Sequence, residues 1–90
     1  MRTAARVDQN QAAIIAALRR VGATVCILSS VGHGCPDLLV GYKGKNYLLE
    51  VKAKTGRLTR HQIAWINAWA GQVQVLKPST GAYALLEITT

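Results

Sequence analysis

GCPDLLVGYKGKNYLLEVKAK, residues 34–54, sets two apolar runs around a lysine- and glycine-rich break, and it holds Asp37 and Glu50, two of only 4 acidic residues among 90. Within it, Asp37 to Tyr42 and Tyr47 to Lys52 read as two strands rich in β-branched, aromatic and leucine residues. Lys43-Gly44-Lys45-Asn46 lies between them and is rich in residues that tolerate positive φ, which predicts a hairpin. Side chains alternate along a strand, so Glu50 and Lys52 point to one face while Leu49 and Val51 point to the other. A carboxylate and an ammonium are thus presented about 7 Å apart on one side of a sheet. If the neighbouring strand opens at Asp37, a second carboxylate approaches the same pair.

Outward from the hairpin, the chain alternates helical and strand patterns. Asp8 followed by Gln11 has the spacing of a capping box, and Ala12, Ile14, Ile15, Leu18 and Val21 follow at helical intervals, predicting a first helix over about 9–20 ended by Gly22. Thr24 to Leu28 reads as a short strand, and Ser29 to Pro36 as a loop punctuated by Gly32, Gly34 and Pro36. Beyond the hairpin, Thr59 is a good N-cap for a second helix marked by Ile63, Ile66 and Ala70 and closed by Gly71. Gln72 to Lys77 alternates as a half-buried strand, Pro78 to Gly81 is a turn and Tyr83 to Ile88 a last strand. The expected architecture is α/β, a mixed sheet flanked by helices in the order α-β-β-β-α-β-β. No repeat, linker or low-complexity tract divides it, so residues 1–90 form one domain.

Composition sets bounds on the partner. Lys and Arg number 11 against 4 Asp and Glu, a net charge of +7, which predicts attraction to a polyanion. A chain this short buries only about 60–65% of its unfolded surface, so a second copy is a natural source of stability. Cys26 and Cys35 are too few for a disulfide framework and have no zinc spacing. The first residues carry no signal-peptide pattern, and no run approaches the roughly 20 apolar residues of a membrane span. A cytoplasmic protein with reduced thiols and no membrane partner is expected.

Two carboxylates brought together resist joint ionisation, and a divalent cation between them is the usual remedy. The chemistry that suits Asp37, Glu50 and Lys52 is phosphodiester hydrolysis: Mg²⁺ polarises a phosphoryl oxygen and acidifies a bound water, and Lys52 orients that water or offsets charge on the phosphate. The carbonyl of Val51 is a further oxygen at the same strand end. Taken singly, Glu50 and Lys52 also read as an ion pair on a solvated sheet surface, and Asp37 as a turn residue after Pro36.

Pro36-Asp37, then Glu50-Val51-Lys52, then Gln62 resembles the PD-(D/E)xK nuclease superfamily, and more closely its small stand-alone VRR-NUC members of phages and bacteria. The resemblance extends from the first helix to the strand at 72–77. It implies a restriction-endonuclease-like fold, with Asp37, Glu50 and the Val51 carbonyl holding Mg²⁺ or Mn²⁺, Lys52 as the catalytic lysine and Gln62 as a further catalytic-site residue that holds a water or a phosphate. The family commonly places a glutamate on the first helix as another ligand; Gln11, or Gln9, stands there instead. Gln11 therefore reads equally as a weak metal ligand or as the capping partner of Asp8.

Cations flank the site in sequence. Lys43 and Lys45 in the turn, Lys54 and Arg57 after the strand, and Arg60 with His61 at the second helix are expected to contact phosphates. His33 reads as a phosphate contact or as part of a flexible Gly-His-Gly loop. Trp65 and Trp69, four residues apart, either pack on the sheet or a second subunit, or stack on bases. The resemblance implies a homodimer cutting branched DNA, a Holliday-junction resolvase-like endonuclease, since symmetric paired cuts need two symmetric sites. A flap or nick nuclease with the same residues, and a non-catalytic nucleic-acid-binding module on the same fold, are the alternatives.

Overall fold

In the computed structural model, residues 2–52 and 56–76 are described, with side chains from residue 11 onward. Lys54 and the strand expected at 83–88 lie outside the described residues. Helix α1 covers Arg2–Arg20 and therefore starts well before the expected residue 9. Thr3, Ala4, Ala5 and Arg6 contain no breaker, so helical backbone continues through Asp8 rather than beginning there. The capping box expected of Asp8 and Gln11 is thus absent. Gln11 instead falls on the buried stripe of α1 with Ile14, Ile15 and Leu18, at the spacing of one helical face. The helix ends as expected: Gly22 takes φ +94°, its N–H donates to Arg19 O at 3.1 Å, and Ala23 N–H donates to Leu18 O at 3.1 Å. That pair of bonds is a Schellman closure, which requires a residue free to adopt positive φ.

Four strands follow: β1 (Thr24–Ile27), β2 (Leu38–Tyr42), β3 (Lys45–Val51) and β4 (Gln74–Leu76), lying in the sheet in that order. β1, β2 and β3 pair antiparallel, and β4 joins β3 in parallel after the crossover through helix α2 (Arg60–Ala68). The sheet is therefore mixed, in a small α/β domain. The hairpin turn is tighter than expected. Tyr42 pairs with Lys45 and Gly41 with Asn46, leaving only Lys43 (φ 50°) and Gly44 (φ 78°) in the loop. Two successive positive φ values make a type I′ turn, whose twist matches that of the strands it joins.

Alternation in the hairpin decides where the core lies. Leu38, Val40, Leu49 and Val51 face α1 and are at most 1% exposed, and Leu76 of β4 completes the layer with Ile14, Ile15, Leu18 and Ala23. The opposite face carries Glu50 and Lys52. Helix α2 has no buried residue and stops at Ala68, short of Gly71. Trp69 is extended: its ring stacks on Trp65 with centroids 4.6 Å apart, and its indole N–H donates to Gln72 O at 3.2 Å. Gly71 acts not as the helix cap but as a point of close approach, since a Cβ there would lie 2.9 Å from Trp69 Nε1.

Candidate active site

The paired strands bring Asp37 and Glu50 together. Pro36 is buried and Asp37 immediately precedes β2, with its carbonyl accepting from Leu28 N–H at 2.7 Å. This bond continues the β1–β2 ladder and fixes the backbone from which the carboxylate projects. Asp37 Oδ2 then accepts from Val51 N–H at 2.8 Å, so the carboxylate is held across the end of β3. Glu50 Oε2 accepts from Gln62 Nε2 at 2.9 Å and lies 3.6 Å from Lys52 Nζ. Glu50 is only 2% exposed. The reading of Glu50 and Lys52 as an ion pair on a solvated surface is therefore overturned: the ion pair exists, but its carboxylate lies in the interior.

That burial has an electrostatic consequence. Loss of water is the largest influence on the Glu50 carboxyl, followed by the charge of Asp37 and a hydrogen bond with its carboxyl; Lys52 opposes them, and the net result is a pKa pushed up to about 8. The Cys35 thiol is also raised, first by burial and then by the charges of Glu50 and Asp37. Cys35 is thereby kept as a thiol and is a poor nucleophile.

The donor set suits a hard divalent cation. Asp37 and Glu50 offer carboxylate oxygens that repel each other when ionised, the condition a cation relieves. Among the described residues no group of three or more His, Cys, Asp or Glu gathers into a metal cage. Two carboxylates with a peptide carbonyl suit Mg²⁺, which keeps several waters and takes phosphate oxygens, better than a cation needing an all-protein cage. Gln11 is 6% exposed and accepts from Ser29 Oγ at 3.5 Å, so its amide faces the loop that leads to Asp37.

Gln62 is fixed by the start of α2. Its Oε1 accepts from Thr59 N–H at 2.8 Å, and Thr59 Oγ1 accepts from Gln62 N–H at 3.2 Å. This is a reciprocal capping box. With the amide oxygen engaged by the backbone, the amide nitrogen is left to donate to Glu50. The loop at 32–34 is seated on the same turn. Gly32, His33 and Gly34 all have positive φ, at 76°, 58° and 84°. A Cβ on Gly34 would overlap the His61 carbonyl and stand 3.0 Å from Gln62 N.

Between loop and helix lies a cavity of about 370 Å³ lined by Ser29, His33, Cys35, Asp37, His61 and Gln62, among others. Lys52 lines a neighbouring cavity of about 470 Å³ with Arg57, Ile63 and Val75. Asp37, Glu50, Lys52 and Gln62 are thus brought together, His33 lines the cavity beside Asp37 and Gln62, Arg57 lines the one beside Lys52, and Arg60 is exposed at the first turn of α2. Lys43 and Lys45 are not part of it. They sit at the other end of β2 and β3, about 20 Å away by the strand rise over six residues, because the turn that carries them joins the ends remote from Asp37 and Glu50. Three contributors were not anticipated from sequence: Ser29, Cys35 and the steric fit of Gly34. The capping spacing Thr59-x-x-Gln62 was the legible signal for how Gln62 is held.

No protein-family model, curated protein or solved structure matches this chain.

Proposed function

We propose that the protein is a divalent-metal-dependent DNA endonuclease of the PD-(D/E)xK type, similar to the small VRR-NUC enzymes and built on a restriction-endonuclease-like sheet. The observation that carries this reading is the buried Glu50 carboxylate, set against Asp37 and contacted by both Gln62 and Lys52. Desolvating a carboxylate beside another destabilises the fold and has no packing benefit. It is explained by a ligand that both carboxylates hold.

Asp37, Glu50 and the Val51 carbonyl are the groups that would hold Mg²⁺ or Mn²⁺, which when bound polarises a phosphoryl oxygen and lowers the pKa of a water. Lys52 stabilises negative charge at the scissile phosphate and orients the attacking water. Gln62 holds the Glu50 carboxylate in place. Arg57, Arg60 and His33 contact flanking phosphates, which positions a backbone without reading bases. Gln11, joined to the loop through Ser29, supports the approach to Asp37 from a distance.

Branched DNA cut by a homodimer is the substrate class and assembly we assign. The chain is small, and Ile63 and Trp69 are exposed at 46% and 45%, offering apolar surface for a second copy. No helix among the described residues is long and apolar enough to cross a membrane. The cytoplasmic location we assign follows from the nuclease reading, since that is where the DNA substrate would be met. The test is incubation of labelled four-way junction, flap and linear duplex with protein in Mg²⁺, Mn²⁺ or EDTA, with sedimentation of the same sample. Paired cuts in the junction by a dimer are expected. Cutting of flaps alone would replace the resolvase assignment by a flap nuclease, and binding without cutting in any metal would reduce the protein to a binding module.

A further inference from the structure

The lysines displaced from the active site are part of a second charged surface. Arg19 and Arg20 form the last turn of α1, and both are exposed. Four residues after Arg20, Thr24 pairs with Gly41, which is two residues before Lys43. The end of α1 and the hairpin tip therefore lie toward the same end of the sheet. They also share a face. Tyr42 packs against the α1 side of the sheet, Lys45 pairs directly with Tyr42, and Lys43 Nζ lies over the Tyr42 ring at 5.2 Å from its centroid. The ring draws the Lys43 ammonium toward the side where Arg19 and Arg20 end the helix.

Four cations are thus grouped, while the two acidic side chains among the described residues, Asp37 and Glu50, both lie in the active site. The C-terminal dipole of α1 favours Arg19 and Arg20. It gives no reason for Lys43 and Lys45 beside them, where like charges repel. Among the described residues no acidic side chain lies beside them, and a polyanion would supply the counter-charge.

We propose that Arg19, Arg20, Lys43 and Lys45 form a second phosphate-backbone contact surface that grips a segment of the same nucleic acid about 20 Å from the cleavage site. The inference rests on the nuclease reading for its choice of polyanion, and it deepens that reading by requiring a substrate with two backbone segments in reach. The span corresponds to about six base pairs at 3.4 Å each. The surface lies on the α1 face and the catalytic groups on the other, so a branched or bent substrate reaches both more readily than a short straight duplex.

The test is fluorescence anisotropy in EDTA over a range of salt, using four-way junctions with arms of about 12 base pairs, with the intact chain and with the variant Arg19→Gln, Arg20→Gln, Lys43→Gln, Lys45→Gln. Each phosphate contact contributes about 0.9 to the slope of log affinity against log salt. The variant is expected to lose about 2–4 from that slope and at least tenfold in affinity near physiological salt, with its melting temperature within a few degrees of the parent. An unchanged slope would overturn the proposal. So would a variant that keeps its DNA affinity but loses binding to vesicles rich in phosphatidylserine, since the surface would then face a lipid. Because EDTA removes catalysis from the measurement, failure of the nuclease reading appears separately, as absent cleavage in Mg²⁺ while the variant still loses slope relative to the parent.

Discussion

Replacing Glu50 by glutamine is expected to stabilise the metal-free protein at pH 8 while destroying its metal response. The carboxyl would titrate near 4.5 in the unfolded chain and is pushed up to about 8 in the fold by burial and by Asp37. The folded state therefore holds this proton more tightly than the unfolded state. The resulting stability is fully present below pH 4.5 and is lost as pH rises through about 8. At about 1.4 kcal/mol per tenfold change in proton affinity, the loss between pH 5 and pH 8 is about 3 kcal/mol. For a domain of this size that is roughly 12–24 °C in melting temperature. Glutamine at position 50 keeps an oxygen for Gln62 Nε2, now 2.9 Å from Glu50 Oε2, and presents N–H groups toward Asp37. Its stability should be flat over the same range. Thermal melts of both proteins in EDTA from pH 5 to pH 9, repeated with Mg²⁺, provide the assay. Mg²⁺ should raise the wild-type midpoint at pH 8 and leave Glu50→Gln unmoved. A wild type as stable at pH 8 as at pH 5, or a variant that melts lower than the wild type at pH 8 without metal, would refute the electrostatic reasoning.

Other substitutions test how the site is held. Gly34→Ala places a methyl against the His61 carbonyl at a φ of 84°; urea denaturation should show a loss of about 2 kcal/mol or more, and nuclease activity should fall at least tenfold as the loop lifts from α2. Thr59→Ala removes the acceptor for Gln62 N–H and should cost about 1 kcal/mol, whereas Thr59→Ser should retain both stability and activity in the same two assays. Leu49→Ala empties a side chain that is 0% exposed between α1 and the sheet; a loss of about 2–5 kcal/mol on chemical denaturation is expected.

The hairpin and the Schellman end of α1 were legible because each rests on a local rule: alternation in Asp37 to Lys52 and a glycine at position 22. The start of α1 was misread because Asp8 and Gln11 have capping-box spacing inside an unbroken helix. What places Gln11 is its position on the apolar stripe with Ile14, Ile15 and Leu18, visible only once the helix is known to continue. At Thr59 only the N-cap was read from sequence, and the reciprocal bonds with Gln62 complete a capping box there. Proximity in sequence also misled for Lys43 and Lys45, since a tight hairpin sends its turn to the far end of the strands that carry the site. Asp37, Glu50 and Lys52 were legible as a set from their strand spacing, and Gln62 only through the resemblance to the nuclease superfamily. The depth of Glu50 was not, because an ExK strand looks the same whether a helix such as α2 lies over that face or water does.

Under the proposed function, Asp37 and Glu50 act together in a metal-dependent phosphodiester cleavage. Its most direct test is single-turnover cleavage of a labelled four-way junction by the wild type, Asp37→Asn and Lys52→Ala, each confirmed folded by circular dichroism, in Mg²⁺ and in EDTA. Cleavage by the wild type in Mg²⁺, abolished by EDTA and reduced at least a hundredfold in both variants, is the predicted result. Cleavage that survives EDTA or the loss of the Asp37 carboxylate would contradict the account.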